Sequence, residues 1–196
     1  MQTRITTFIP TSIINMLRLA LLSSFVAASP ILAAGQLNHE HEHDSSSKAA
    51  PSKLVQIVRE ATQQFIDVNN AGHAGYEPAF GCVTGPDHGA MGIHYINGPL
   101  VMGGQVDARH PQALIYEPVG NRLRLVGVEF IVDAPSWLAN HQGVPPMLEG
   151  QAFQLVGAPN RFGIPNPFFE LHVWAWRDNP QGAFVDWNND VSCEGE

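Results

Sequence analysis

The sequence predicts a mainly β protein, an antiparallel barrel or sandwich, with one amphipathic helix on its N-terminal side. Two observations lead there. After Tyr76 the chain breaks into short apolar runs rich in Val, Ile, Phe and Trp, with Gly, Pro and Asn between them, which is the punctuation of strands and turns. Before that point a single stretch, 52–69, carries apolar residues at intervals of three and four, the period of a helix with one buried face. With 196 residues there is room for one ordinary domain once an export signal is set aside.

Residues 1–34 read as that signal. Arg4 and Arg18 supply positive charge with no acid before Glu40, an apolar core follows at 19–28 (LALLSSFVAA), and small residues run to Ala34. The run is too short for a membrane-spanning stop, and no cysteine is near enough to carry a lipid. The expected location is periplasmic or secreted, with no membrane attachment after removal of the signal. That removal takes away two basic residues and no acid, moving the formal charge from −8 to −10. Nucleic acid and anionic lipid surfaces are therefore poor partners.

Residues 35–51 have no apolar period and are rich in Ser, His and acid, the composition of a disordered leader. His39, His41 and His43 alternate there with Glu40, Glu42 and Asp44. Such a segment is either an accessory site for a transition metal or a solubilising tail.

The remainder, 52–196, is expected to form a single β-rich domain. In the helix, Leu54, Ile57, Val58, Ala61, Phe65 and Val68 share a face, Ser52 is placed to cap it, and Asn69, Asn70 and Gly72 stop it. Candidate strands follow at 79–84, 91–96, 100–102, 113–117, 122–132, 151–156, 168–176 and 183–187. Residues 119–121 (VGN) make a tight hairpin connection. Segments 134–146 and 157–167, rich in Pro, Gly and Asn, are long loops of the kind that carry binding sites. Export makes a Cys82–Cys193 disulfide the expected state of the two cysteines.

The stretch 81–98, GCVTGPDHGAMGIHYING, holds two histidines: His88 in a Gly/Pro/Asp loop and His94 in a strand. A third, His172, lies in the run 168–176. Alternation along 122–132 puts Glu129 on one face with Leu123, Leu125, Gly127 and Ile131. A carboxylate among aliphatic residues needs a partner, whether a metal, an arginine such as Arg109 or Arg161, or a proton. His172 shares its expected face with Phe168, Glu170, Trp174 and Trp176, which makes Glu170 the substitute carboxylate. Imidazole and carboxylate donors from separate strands suit one divalent first-row metal, so His88, His94, Glu129 and His172 form the candidate ligand set. Zn, Fe, Mn and Cu are not distinguished by these donors. An enzyme with such a metal would be an oxidoreductase or a hydrolase acting on a small molecule. In the alternatives, the same residues are hydrogen-bonded sheet positions or a metal-free acid–base pair. From a different class comes a noncatalytic module that binds carbohydrate or a protein partner on the faces of Trp174 and Trp176.

Two stretches, GCVTGPDHGAMGIHYIN with LIYEP and LVGVEF after it and HVWAWRDNPQGAFVDWNNDVSC at the end, together resemble a pattern of uncharacterised exported bacterial proteins. The resemblance covers roughly residues 61–193 and implies export, with no activity attached. A weaker similarity is to the cupins, and it implies a cupin-like or jelly-roll-like barrel with histidine and glutamate on a metal. The cupin signature has two histidines separated by one residue with a glutamate close behind. Here His88 and His94 are six positions apart and Glu129 is far downstream.

Overall fold

The computed structural model describes residues 51–85 and 87–195. The expected signal peptide at 1–34 and His39, His41 and His43 lie outside the described residues. Among the described residues no helix is long and apolar enough to cross a membrane.

The architecture is mainly antiparallel β, a six-stranded sheet curled into a half-barrel with a few short helices. Its strands are β1 (Glu77–Thr84), β2 (Ala90–Ile96), β3 (Ala113–Val119), β4 (Arg122–Asp133), β7 (Gln154–Val156) and β8 (Phe168–Val173), in the order β1-β2-β3-β4-β8-β7. β5 (Met147–Leu148) and β6 (Gln151–Ala152) form a separate two-stranded ribbon. The turn between β3 and β4 is two residues long, with Val119 paired to Arg122 and Gly120 at φ 56°. Positive φ at the first central position is what a primed hairpin turn requires, and glycine supplies it without steric cost.

The stretch 52–69 is three short pieces: α1 (Lys53–Thr62), a 3-10 turn (Gln63–Ile66) and α2 (Val68–His73). Ser52 Oγ accepts from the Val55 amide to start α1. The break after Thr62 follows from where the next carbonyls go. The Phe65 carbonyl accepts from the Tyr116 hydroxyl and the Gln64 carbonyl from the Asn70 side chain, so neither serves a continuous helical ladder. Leu54, Val58 and Phe65 pack with Leu114, Tyr116, Val128, Phe130 and Leu171 to form the main core on one face of the sheet.

Three expected strands differ. Residues 100–102 lie in α3 (Gly98–Gly103), because Asn97 Oδ1 caps it from the Leu100 amide and Gly104, at φ 63°, ends it. The run 151–156 is divided between β6 and β7 at Phe153, whose ring turns into the core beside Phe130. Segment 183–187 is not a strand. It is held by single bonds, the Trp174 amide to the Ala183 carbonyl and the Trp174 indole to the Val185 carbonyl. The loop 134–146 contains a further helix, α4 (Ala134–Asn140), capped by Asp133.

One irregularity rearranges the faces of β4. Ile115 pairs with Gly127 but Tyr116 pairs with Leu125, which leaves Val126 as an extra residue. Such a bulge reverses the alternation beyond it. Leu123 and Leu125 therefore point to the helix-covered core rather than sharing a face with Glu129, while Val126 joins Ile115 and Trp174 on the opposite face. Cys82 and Cys193, 111 positions apart, are joined in a disulfide that ties β1 to the C-terminal segment. The bond is compatible with an oxidising, exported location.

Candidate metal centre

The face of the sheet not covered by α1 and α2 carries a polar cluster. His94 stands on β2, Glu129 on β4 and His172 on β8, with Glu129 and His172 directly opposite each other in the antiparallel register. On the intervening strand β3, Ala113 pairs with Glu129 and Ile115 pairs with both His94 and Gly127. Across β3, His94 Nε2 comes to 3.3 Å from Glu129 Oε2. The His94 and His172 rings stand edge to face, 5.9 Å apart at 88°. A Cβ on Gly127 would meet the Val173 carbonyl oxygen at 2.8 Å, so glycine is what lets β4 and β8 close up beside the site.

One donor atom from each of His94, Glu129 and His172 lies within 4.8 Å of the others. Donors about 2.1 Å from a common ion stand about 3.0–3.4 Å apart at octahedral or tetrahedral angles, a range that includes the His94–Glu129 separation of 3.3 Å. All three residues are buried, His172 to 1% exposure. Neither ring nitrogen of His172 has a hydrogen-bond partner among the described residues. His94 Nδ1 likewise has no hydrogen-bond partner among the described residues. Unpaired polar atoms at this depth are rare, and each costs about 1–3 kcal/mol.

A second group of donors, within the same distance limit, shares His172: Glu170, His172 and Asp186. Asp186 Oδ1 lies 3.6 Å from His172 Nδ1 and accepts a 2.7 Å bond from the Gln154 side chain. Glu170, next to Glu129 across the β4–β8 pair, is buried and hydrogen-bonded to it. The cluster therefore holds two imidazoles and three carboxylates. Neither expected arginine reaches Glu129: Arg109 lies 3.9 Å from Glu60 on the surface, and Arg161 donates to the Thr84 carbonyl and stacks over Trp187.

Burial sets the charge states. Desolvation pushes His94 down to about 4 and His172, with His94 beside it, to about 3. Both rings are thus neutral at pH 7, the form that binds a metal. Desolvation raises Glu129 well above the usual carboxyl value, assisted by the charge of Glu170 and by the bond to it. Glu170 is raised by desolvation to about 7 and Asp186 is raised also by desolvation. In the metal-free chain burial and the mutual repulsion of Glu129 and Glu170 keep a proton on the pair. A divalent cation would displace that proton, since it supplies the positive charge the carboxylates lack.

The remaining expected residues are placed elsewhere. His88 is exposed in its loop with its ring 6.5 Å from that of Trp187, and it does not join His94 and His172. Trp174 is only 3% exposed, stacked against His172, and Trp176 turns to the opposite core, where its indole donates to Thr62. The two indoles therefore form no exposed platform. Sequence reasoning missed Asp186, although it is the one acid inside the apolar run 183–187, the same signal that singled out Glu129.

A cavity of about 30 Å³ adjoins the three donors, walled on its other sides by Phe80, Ile96, Ile131, Phe162, Ile164 and Phe168 among others. Comparison with protein-family models, with curated proteins and with solved structures returned no match.

Proposed function

We propose that this is an exported metal-binding protein whose curled sheet holds one divalent transition ion between His94, Glu129 and His172. Release to the periplasm or medium is supported by the disulfide and by the character of residues 1–34. The observation that carries the reading is a fully buried His172 with two unpartnered nitrogens, within 4.8 Å of donors from His94 and Glu129. Two neutral imidazoles and one carboxylate leave positions open on a four- to six-coordinate ion, as a catalytic metal requires. Asp186 Oδ1, 3.6 Å from His172 Nδ1, would orient that ring if the two closed to hydrogen-bond distance on metal binding.

Elemental analysis of protein purified without a histidine tag tests this. One equivalent of metal is expected, lost in the His94→Ala/His172→Ala double variant. Full metal content in that variant would defeat the reading. A second reading is favoured by the Glu129–Glu170 hydrogen bond, which needs a shared proton. In it the cluster is a metal-free acid–base pair, and metal-free preparations of undiminished activity would select it.

A further inference from the structure

We infer that the ligand of this centre is an uncharged small molecule with an apolar, ring-bearing body and one polar group, the class of a neutral aromatic alcohol. The inference rests on the metal reading above and deepens it by naming what the open positions of the ion take. His94, Glu129 and His172 form one side of a pocket that is partly open to solvent. Its other lining side chains are all apolar, Phe80, Phe162, Ile164 and Phe168 among them. A ligand bound there meets polar partners at one end only. A sugar would lay hydroxyls against the apolar side with nothing to bond them, and buried polar groups left unpaired oppose binding.

Charge narrows the class. No lysine or arginine lines the pocket. Arg161, beside Phe162 on the loop 157–167, has its guanidinium 5.9 Å from the Phe162 ring and 5.3 Å from the Trp187 ring, and it donates to the Thr84 carbonyl. Its charge is thus spent on those partners. On the other side Glu129, Glu170 and Asp186 gather three carboxyl groups around one divalent ion, which leaves no positive excess to draw an anion.

The apolar side is built rather than incidental. Phe162 and Ile164 sit on one of the two long loops expected to carry a binding site. Asn160 fixes that loop: its Oδ1 accepts from the Phe162 and Ile164 amides, and its Nδ2 donates to the Gly157 and Ile164 carbonyls. Across from them, the register of β1 shifts between Ala79 and Cys82, and Phe80 takes a φ of 66°. Left-handed backbone is uncommon for any residue with a side chain, and such strain gathers at ligand sites. Phe80 is also half-exposed, with its ring 5.4 Å from the Phe162 ring and tilted by 51°. A third ring, from the ligand, packed on this pair would cover the apolar surface that the strained backbone holds out to water.

The test uses the untagged full chain loaded with zinc, with zinc content measured on each sample. Saturation-transfer NMR reads the binding of benzyl alcohol, benzoate and glucose. Benzyl alcohol is expected to bind, with benzoate and glucose at the same concentration at least tenfold weaker. Phe80→Ala is expected to keep its zinc and lose about fivefold or more in benzyl alcohol affinity. Ile164→Lys, which puts a cation on the loop wall, is expected to keep its zinc and gain benzoate binding. If Phe80→Ala does not fold, the Ile164→Lys arm decides. No benzyl alcohol bound, benzoate or glucose bound as well as benzyl alcohol, or folded variants that bind the three probes as the unaltered protein does would overturn the inference and leave the metal site standing. Failure of the unaltered protein to take up zinc would overturn both.

Discussion

Replacing Glu170 by glutamine in the metal-free chain isolates the electrostatic cost built into the cluster. Burial raises the Glu170 carboxyl from 4.5 to about 7. Below pH 4.5 both folded and unfolded chains carry the proton, and the group costs nothing. As pH rises from 4.5 to 7 the unfolded chain ionises while the folded one does not, so stability falls. The loss is about 1.4 kcal/mol per unit over 2.5 units, roughly 3 kcal/mol, and it levels off above 7. Glutamine has no proton to lose and can still accept from Glu129. Relative to the unaltered chain, Glu170→Gln should therefore gain about 3 kcal/mol between pH 4.5 and 7.5. Urea denaturation of chelator-treated protein at a series of pH values measures this. A difference between the two proteins that does not change with pH would refute the reasoning, since it would mean that Glu170 ionises normally in the folded chain.

Three further outcomes follow from the geometry. Gly127→Ala puts a Cβ 2.8 Å from the Val173 carbonyl, so β4 and β8 must move apart; a loss of about 1–3 kcal/mol in denaturant stability is expected, together with weakened metal retention. Cys82→Ser/Cys193→Ser opens a loop of 111 residues, and thermal or chemical unfolding should show a loss of about 4–5 kcal/mol. His88→Ala should leave metal content unchanged while His94→Ala abolishes it, because His88 is exposed beside Trp187 and His94 faces Glu129.

What could be read from the sequence was decided by period and chemistry, and what could not was decided by exceptions to period. The antiparallel β character and the strands around His94, Glu129 and His172 followed from apolar alternation, because those strands lie in the sheet without interruption near these residues. The side of the sheet taken by Leu123 and Leu125 did not follow, because the bulge at Val126 is invisible to a period of two. Residues 100–102 looked like a strand by composition, yet Asn97 and Gly104 at its ends make it a helix. His88 was chosen by nearness in sequence to His94, but residues six apart across a loop-to-strand junction need not face the same way. Asp186 was overlooked because the segment bearing it makes only isolated bonds to the sheet, so alternation gave no direction for its side chain.

The most direct test of the central claim is a crystal of the untagged protein grown with zinc and measured at the zinc absorption edge. An anomalous peak about 2.0–2.2 Å from a nitrogen of His94, a nitrogen of His172 and an oxygen of Glu129 is the expected result. A map with no peak among these three side chains, or with zinc bound only at another place, would contradict it.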